Sequence, residues 1–281
     1  MSGVRSLKNL RRPVIIAAFG GWNDASEAAS NVIDHVAELT NAELAFALEP
    51  DEFYDFQVNR PTIVKTSEQE RTIQWPTTEV LVASLADRDL VLVGGPEPNM
   101  KWRTFCARLI SAFVTVKPEM VVLLGALLTD APHTRPVPVT GTCSDPDLAA
   151  ELALQASTYE GPTGIVGVLA AECAVVGIPV VSLWASVPHY VAEPPNPKAT
   201  VALLSRLEDV LDCPLDAGEL LEQAVQWEEQ VNDLASEDTE ITAYINTLEE
   251  RRDEAQKEPS GDAIAAEFQR FPASAASTAL S

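Results

Sequence analysis

His133 and Arg135 stand two positions apart between prolines. They close the stretch Val121 to Gly141 (VVLLGALLTDAPHTRPVPVTG), which begins as a continuous apolar run. A histidine can exchange a proton near neutral pH, and an arginine can hold an anionic group. Other apolar segments also end in polar side chains. Asn23 and Asp24 follow PVIIAAF, Glu97 and Asn99 follow LVLVGG, and His189 and Tyr190 follow PVVSLWASV. Glu160 lies in a tight glycine–proline loop ahead of Ile165. If these segments are parallel neighbouring strands, their polar tips gather on one rim, where open α/β sheets place ligands. There Arg135 would hold the anion, His133 or His189 would act as acid or base, and Glu97 or Asp24 would orient it. Each residue also has a plainer reading. Asp24 and Asn99 suit helix caps, Arg135 suits an ion pair, and the histidines suit loop hydrogen bonds.

Other chemistries find less support. There is no G-x-S-x-G nucleophile elbow, and Gly161-Pro162-Thr163-Gly164 lacks the G-K-[ST] of a phosphate loop. The three histidines fit no metal spacing, so neither a metal nor a cofactor is expected; His35 falls inside a helical pattern. Cys106, Cys143, Cys173 and Cys213 are far apart and make no C-x-x-C pair; three of them sit in apolar surroundings that suit small buried side chains. The first strand, glycine turn and helix resemble the opening of a dinucleotide fold. The three-glycine fingerprint is missing, however, and Asp24 puts a carboxylate where a pyrophosphate would sit.

The pattern that positions these residues alternates strands and helices. Pro13 to Phe19 precedes a helix with the stripe Ala25, Ala28, Ala29, Val32, Ile33, Val36 and Leu39; Asp24 and Glu27 have capping-box spacing. The short pieces ELAFAL, FYDFQV, TIVKT and RTIQW read as β. Leu90 to Gly95 is a buried strand, and Asn99 could cap a helix with the stripe Trp102, Phe105, Cys106, Leu109, Ile110 and Phe113. Ile165 to Val168 reads as a brief strand and Leu169 to Val176 as a helix. Asn196-Pro197 starts a helix in the favoured order, running to about Leu211. Fully apolar strands between helices predict an α/β fold with helices on both faces of one sheet.

Composition changes at Cys213-Pro214. Residues 1–212 are expected to form the α/β core and 213–271 an acidic helical extension packed on it, with 272–281 a disordered tail. The extension should break at 236–239 into a hairpin whose apolar residues, from Leu220 to Leu248, give one sticky face; Asp262 to Phe271 should add a last short helix. Nineteen basic residues against 42 acidic ones give a formal charge of −23. That field disfavours nucleic acid and anionic membranes and suits a basic protein partner. With no apolar leader or spanning run, a cytoplasmic location is expected.

Several segments together resemble the proteasome assembly chaperone 2 family in its bacterial branch. They are GGWNDASEAA, PDEFYDFQVNRP, GPEPNMKWRTF, LGALLTDAPHTRPVPVTG, YEGPTGIVGVL, SLWASVPHYV and SGDAIAAEFQRF, spread from Val14 to Phe271. The resemblance implies a three-layer αβα sandwich similar to purine nucleoside phosphorylases and related hydrolases. It also implies self-association, for which a trimer is the expected state. Family members that build proteasomes dock through a C-terminal hydrophobic–Tyr–any-residue ending, whereas this sequence ends Ala279-Leu280-Ser281. A non-catalytic assembly or binding role therefore ranks first. A phosphorylase-like or hydrolase-like enzyme acting on a small anion at the rim ranks second.

Overall fold

The structure is a computed structural model that describes residues 5–67 and 70–257. Its centre is β1 (Val14–Gly20), a strand apolar on both faces and buried from Val14 to Phe19. It pairs in parallel with β6 (Asp89–Pro96) on one side and β7 (Met120–Thr129) on the other. β7 in turn pairs in parallel with β9 (Val180–Pro188). Antiparallel strands finish both edges. β5 (Glu79–Ser84) and β2 (Glu43–Ala47) follow β6, and β8 (Val139–Cys143) follows β9, giving the order β2-β5-β6-β1-β7-β9-β8.

Alternate side chains of β1 enter different cores, as the pleat requires. Val14, Ile16 and Ala18 pack with α1 (Ala28–Leu39) and α6 (Pro197–Leu211). Ile15, Ala17 and Phe19 pack with α3 (Trp102–Val116) and α5 (Ile165–Val175). Helices on both faces of a seven-stranded mixed sheet make the expected three-layer α/β sandwich. α7 (Leu220–Ser236) lies along α6, and α8 (Thr239–Lys257) folds back on α7. The short helix expected at Asp262 to Phe271 and the tail at 272–281 lie outside the described residues.

Four local expectations fail for identifiable reasons. FYDFQV is not a strand. Pro50 with Asp51 and Glu52 starts a helical turn, α2 (Pro50–Phe53), because proline and acids suit a helix N-terminus. Phe53 and Tyr54 then act as core plugs, with the Phe53 ring 5.3 Å from Phe105. Ile165 to Val168 is the first turn of α5 rather than a strand, since a carboxylate from a distant segment caps it. Asn99 does not cap α3. Its Oδ1 accepts from Asp55 N at 2.8 Å and Asn59 Nδ2 at 2.9 Å, holding the turn after α2. The apolar face expected on the helical extension divides: Val231, Ile245 and Leu248 are buried, while Leu221, Val225 and Leu234 are exposed. A separate two-stranded hairpin, β3 (Thr62–Lys65) and β4 (Arg71–Gln74), stands apart from the main sheet.

Candidate functional site

The parallel strands do deliver their following residues to one edge. Asn23 and Asp24 follow β1, Glu97 and Asn99 follow β6, His133 and Arg135 follow β7, and His189 and Tyr190 follow β9. They do not form one cavity there. Apart from Asn99, which holds the turn after α2, they form two polar clusters, each closed by another part of the chain.

The first cluster surrounds Asn23, Asp24 and Glu97. Asp24 lies just ahead of α1, and its carboxylate accepts from Ala29 N at 2.6 Å and from Ser30 N and Oγ. It therefore caps α1, although Glu27 sits in the left-handed region and completes no capping box. Burial pushes the Asp24 carboxyl above the ordinary carboxylate range, partly offset by those Ser30 and Ala29 hydrogen bonds. Glu97 does the corresponding work for α5. Its Oε1 accepts from Ile165 N at 2.8 Å and from Asn23 Nδ2 at 2.7 Å, and Asn23 is 1 % exposed. The N-termini of α1 and α5 thus hold the chain's own carboxylates, where an anion could otherwise sit.

Gly164 makes this packing possible. A Cβ there would stand 2.2 Å from Asn23 Oδ1. Gly164→Ala is expected to lower stability by about 1–3 kcal/mol through overpacking. Urea unfolding of the variant measures it, and an unchanged midpoint would show that Asn23 moves aside freely. Glu160, on the same loop, is exposed and lies outside the cluster.

The second cluster lies beneath α7 and α8. His133 is 2 % exposed. Its backbone N–H donates to the Tyr190 hydroxyl at 2.8 Å, its Nδ1 lies 2.9 Å from the same oxygen, and its Nε2 lies 3.2 Å from Asn232 Oδ1 on α7. Because the Tyr190 oxygen already accepts from the backbone, its proton is free to point at Nδ1. Nε2 then carries the ring hydrogen and donates to Asn232. Burial lowers the His133 pKa below the usual imidazole value, and Lys198 adds to this, while the Asn232 bond, Glu228 and Glu249 oppose it. Burial likewise raises the Tyr190 hydroxyl to about 12. Lys198 Nζ bridges the His133 carbonyl and Glu228 of α7.

Arg135 binds α8 through both Asp253 oxygens, at 3.0 and 2.9 Å, and through Glu249 at 3.2 Å; Thr134 also donates to Glu249. His189 is the open member of the group, beside Asp130 at 3.4 Å and against the rings of Tyr190 and Tyr244. The residues that sequence reasoning missed are those of the cover: Trp227, Glu228, Asn232, Tyr244, Glu249 and Asp253. Their long-range pairing with His133, Arg135 and Tyr190 leaves no local spacing signal.

Two cavities lie elsewhere. One of about 500 Å³ opens between α1 and the starts of α6 and α7, and one of about 490 Å³ between β2, α2 and α3. None of the nine candidate residues lines either. Among the described residues, no group of three or more His, Cys, Asp or Glu is placed to hold a metal ion, and no helix is long and apolar enough to cross a membrane.

A family model described as the PAC2 family matches residues 18–235, from β1 to the last turn of α7. The chain belongs to the PAC2 family. A PAC2 family protein of Streptomyces avermitilis is 52% identical, with a TM-score of 0.77 over 83% of this chain and 99% of that one. A proteasome-assembly chaperone homologue of Mycobacterium tuberculosis is 46% identical, with a TM-score of 0.75 over the same shares of the two chains. An archaeal proteasome activator of Pyrococcus furiosus is 16% identical, with a TM-score of 0.65 over 80% of this chain and 94% of its own; that likeness concerns the PAC2 fold alone. No curated protein matches.

Proposed function

We propose that this PAC2 protein is a non-catalytic binding factor of the assembly-chaperone kind, which presents the acidic face of α7 and α8 to a basic surface of a proteasome subunit. The observation that carries this reading is the closed rim. Asp24 and Glu97 fill the N-termini of α1 and α5, and α7 and α8 cover His133 and Arg135. The 46% identical chain titled a proteasome-assembly chaperone homologue supports the choice of partner. The outer side of α7 supports the choice of surface. Leu221 and Val225, 55% and 59% exposed, share a face four residues apart, among exposed Glu222, Glu229 and Asp233. Apolar anchors ringed by one sign of charge suit a partner bearing a greasy patch rimmed with lysine and arginine.

The test mixes the full chain with separately expressed proteasome subunits of its own organism and weighs the products by native mass spectrometry. A complex of defined stoichiometry is expected. Glu222→Lys with Glu229→Lys should weaken it by about tenfold or more, in the manner of charge pairs at an interface. Failure of every subunit to bind, together with a small metabolite retained at the His133 edge, would favour the phosphorylase-like or hydrolase-like alternative.

A further inference from the structure

The β3–β4 hairpin is exposed at every position of both strands. Its register opposes Ile63 to Ile73 and Lys65 to Arg71, with Val64 opposite Thr72 and Thr62 opposite Gln74. Opposed residues and alternate residues share a face, so one face carries the two isoleucines and the two cations together. The isoleucines are 66% and 55% exposed. Neither cation has an ion pair among the described residues, and like charges set directly opposite destabilise a strand pair. An isolated two-stranded hairpin is marginal in water, and here the root is fastened by the Phe56 and Trp75 rings 4.7 Å apart. The side chains on that face call for a partner surface that is apolar at its centre and acidic at its margin.

The chain offers such a surface. The cavity between α1 and the starts of α6 and α7 holds about 500 Å³. Leu39, Pro197 and Leu220 give it apolar lining. Its charged margin is Asp34, Glu38, Asp216 and Glu219, against His35 alone on the other side. The imidazole of His35 is already committed, 2.7 Å from the Asp216 carbonyl. Two copies that each carry a charge of −23 repel one another, and setting Lys65 and Arg71 against this acidic margin offsets that locally; residues 62–74 as a whole are neutral, since Glu68 and Glu70 lie between the two cations in sequence, so the charge match belongs to this one face.

We infer that the β3–β4 hairpin of one copy docks in the α1–α6–α7 cavity of a second copy, with Ile63 and Ile73 on the apolar lining and Lys65 and Arg71 against Asp34 and Glu38. The contact joins unlike surfaces, so with a rotation between copies that closes, repeating it builds a ring. The assignment is independent of the assembly-factor reading, since it uses neither the outer face of α7 nor any other protein.

Light scattering on the size-separated full chain at micromolar concentration tests it. The wild type should run as a closed oligomer. Lys65→Glu with Arg71→Glu should weaken association by at least about tenfold, and Asp34→Lys with Glu38→Lys should do the same. Combining all four substitutions should restore the oligomer, because the exchanged charges again oppose one another. Circular dichroism checks that each variant is folded. A second readout needs no charge change: Ile73→Cys with Leu39→Cys should form an oxidant-dependent covalent ladder between copies. A monomeric wild type, hairpin variants of unchanged mass, a folded fourfold variant that stays monomeric, or no ladder would each overturn the assignment.

Discussion

Glu97→Ala is expected to lower the unfolding free energy by about 2–4 kcal/mol, as one acceptor serves two otherwise unpaired donors. Glu97 arrives on the residue after β6, and its Oε1 closes the gap between β1 and α5 by accepting from Asn23 Nδ2 and Ile165 N. Asn23 is buried, so its amide has no water to turn to when the carboxylate goes. Ile165 N–H is the first donor of α5, and Gly164 before it supplies no side-chain cap. Loss of the acceptor therefore exposes one cost in the core and a second at the helix end. Glu97→Gln separates them. It keeps an oxygen for both donors and removes only the attraction between a negative charge and the helix N-terminus, worth about 0.3–1 kcal/mol. Urea unfolding of the two variants should give that order of loss. Amide exchange should show the extra opening in the first turn of α5 for Glu97→Ala alone. If alanine proves as stable as glutamine, the double acceptor is not what joins these elements, and the closed-rim account of this protein loses its best-defined half.

The sheet was legible because its strands carry their environment in their composition. β1, β6 and β7 are continuous apolar runs, as strands covered on both faces must be, and the residues after them fall on one edge by the parallel rule. β5 and β8 drew no such notice. One is a short edge-side strand bounded by turns, and the other, VTGTC, is small and half-exposed with a glycine at its centre. Family membership was legible for a different reason: it rests on long ordered segments rather than on any single spacing. Most candidate residues follow the parallel strands to one edge, but their hydrogen-bond partners come from distant parts of the chain. Arg135 faces Asp253 and Glu249, more than a hundred positions later in the chain, and no local pattern announces a pair at that separation. The same holds for Glu97 and Ile165. A helix whose cap comes from another strand shows only a β-branched apolar start, which is why its first turn resembled a strand.

The other large effect falls on His133, where structure and protonation are coupled. His133→Ala should cost about 2–4 kcal/mol near neutral pH, since it opens a cavity and strands the Tyr190 hydroxyl and Asn232 beside it. The sign of the pH dependence follows from the ring's surroundings. Burial, reinforced by Lys198, sets the folded pKa below the ordinary value of 6.5, so the folded chain binds fewer protons here than the unfolded one. The stability that the neutral ring contributes is then fully present above about pH 6.5 and is lost as pH falls through the depressed folded value. Geometry gives the same direction. A second ring proton on Nδ1 would meet a Tyr190 oxygen that already accepts from the His133 backbone, and Tyr190 would have to turn its own hydrogen elsewhere. His133→Gln fills much of the space without titrating. Its unfolding free energy should approach that of the wild type as pH drops from about 8 to about 5.5, with the gap widest at the upper end. Asp24 and Asp34, whose carboxyls burial raises, titrate in both proteins and cancel in the comparison. Amide exchange along α7 should follow the same curve in the wild type, because Asn232 is the contact through which the ring holds that helix. A difference that stays flat across this range, or grows toward acid, would mean that His133 is not held neutral and that the cover over the β7–β9 edge is fastened by its other contacts, among them those of Lys198, Thr134 and Arg135.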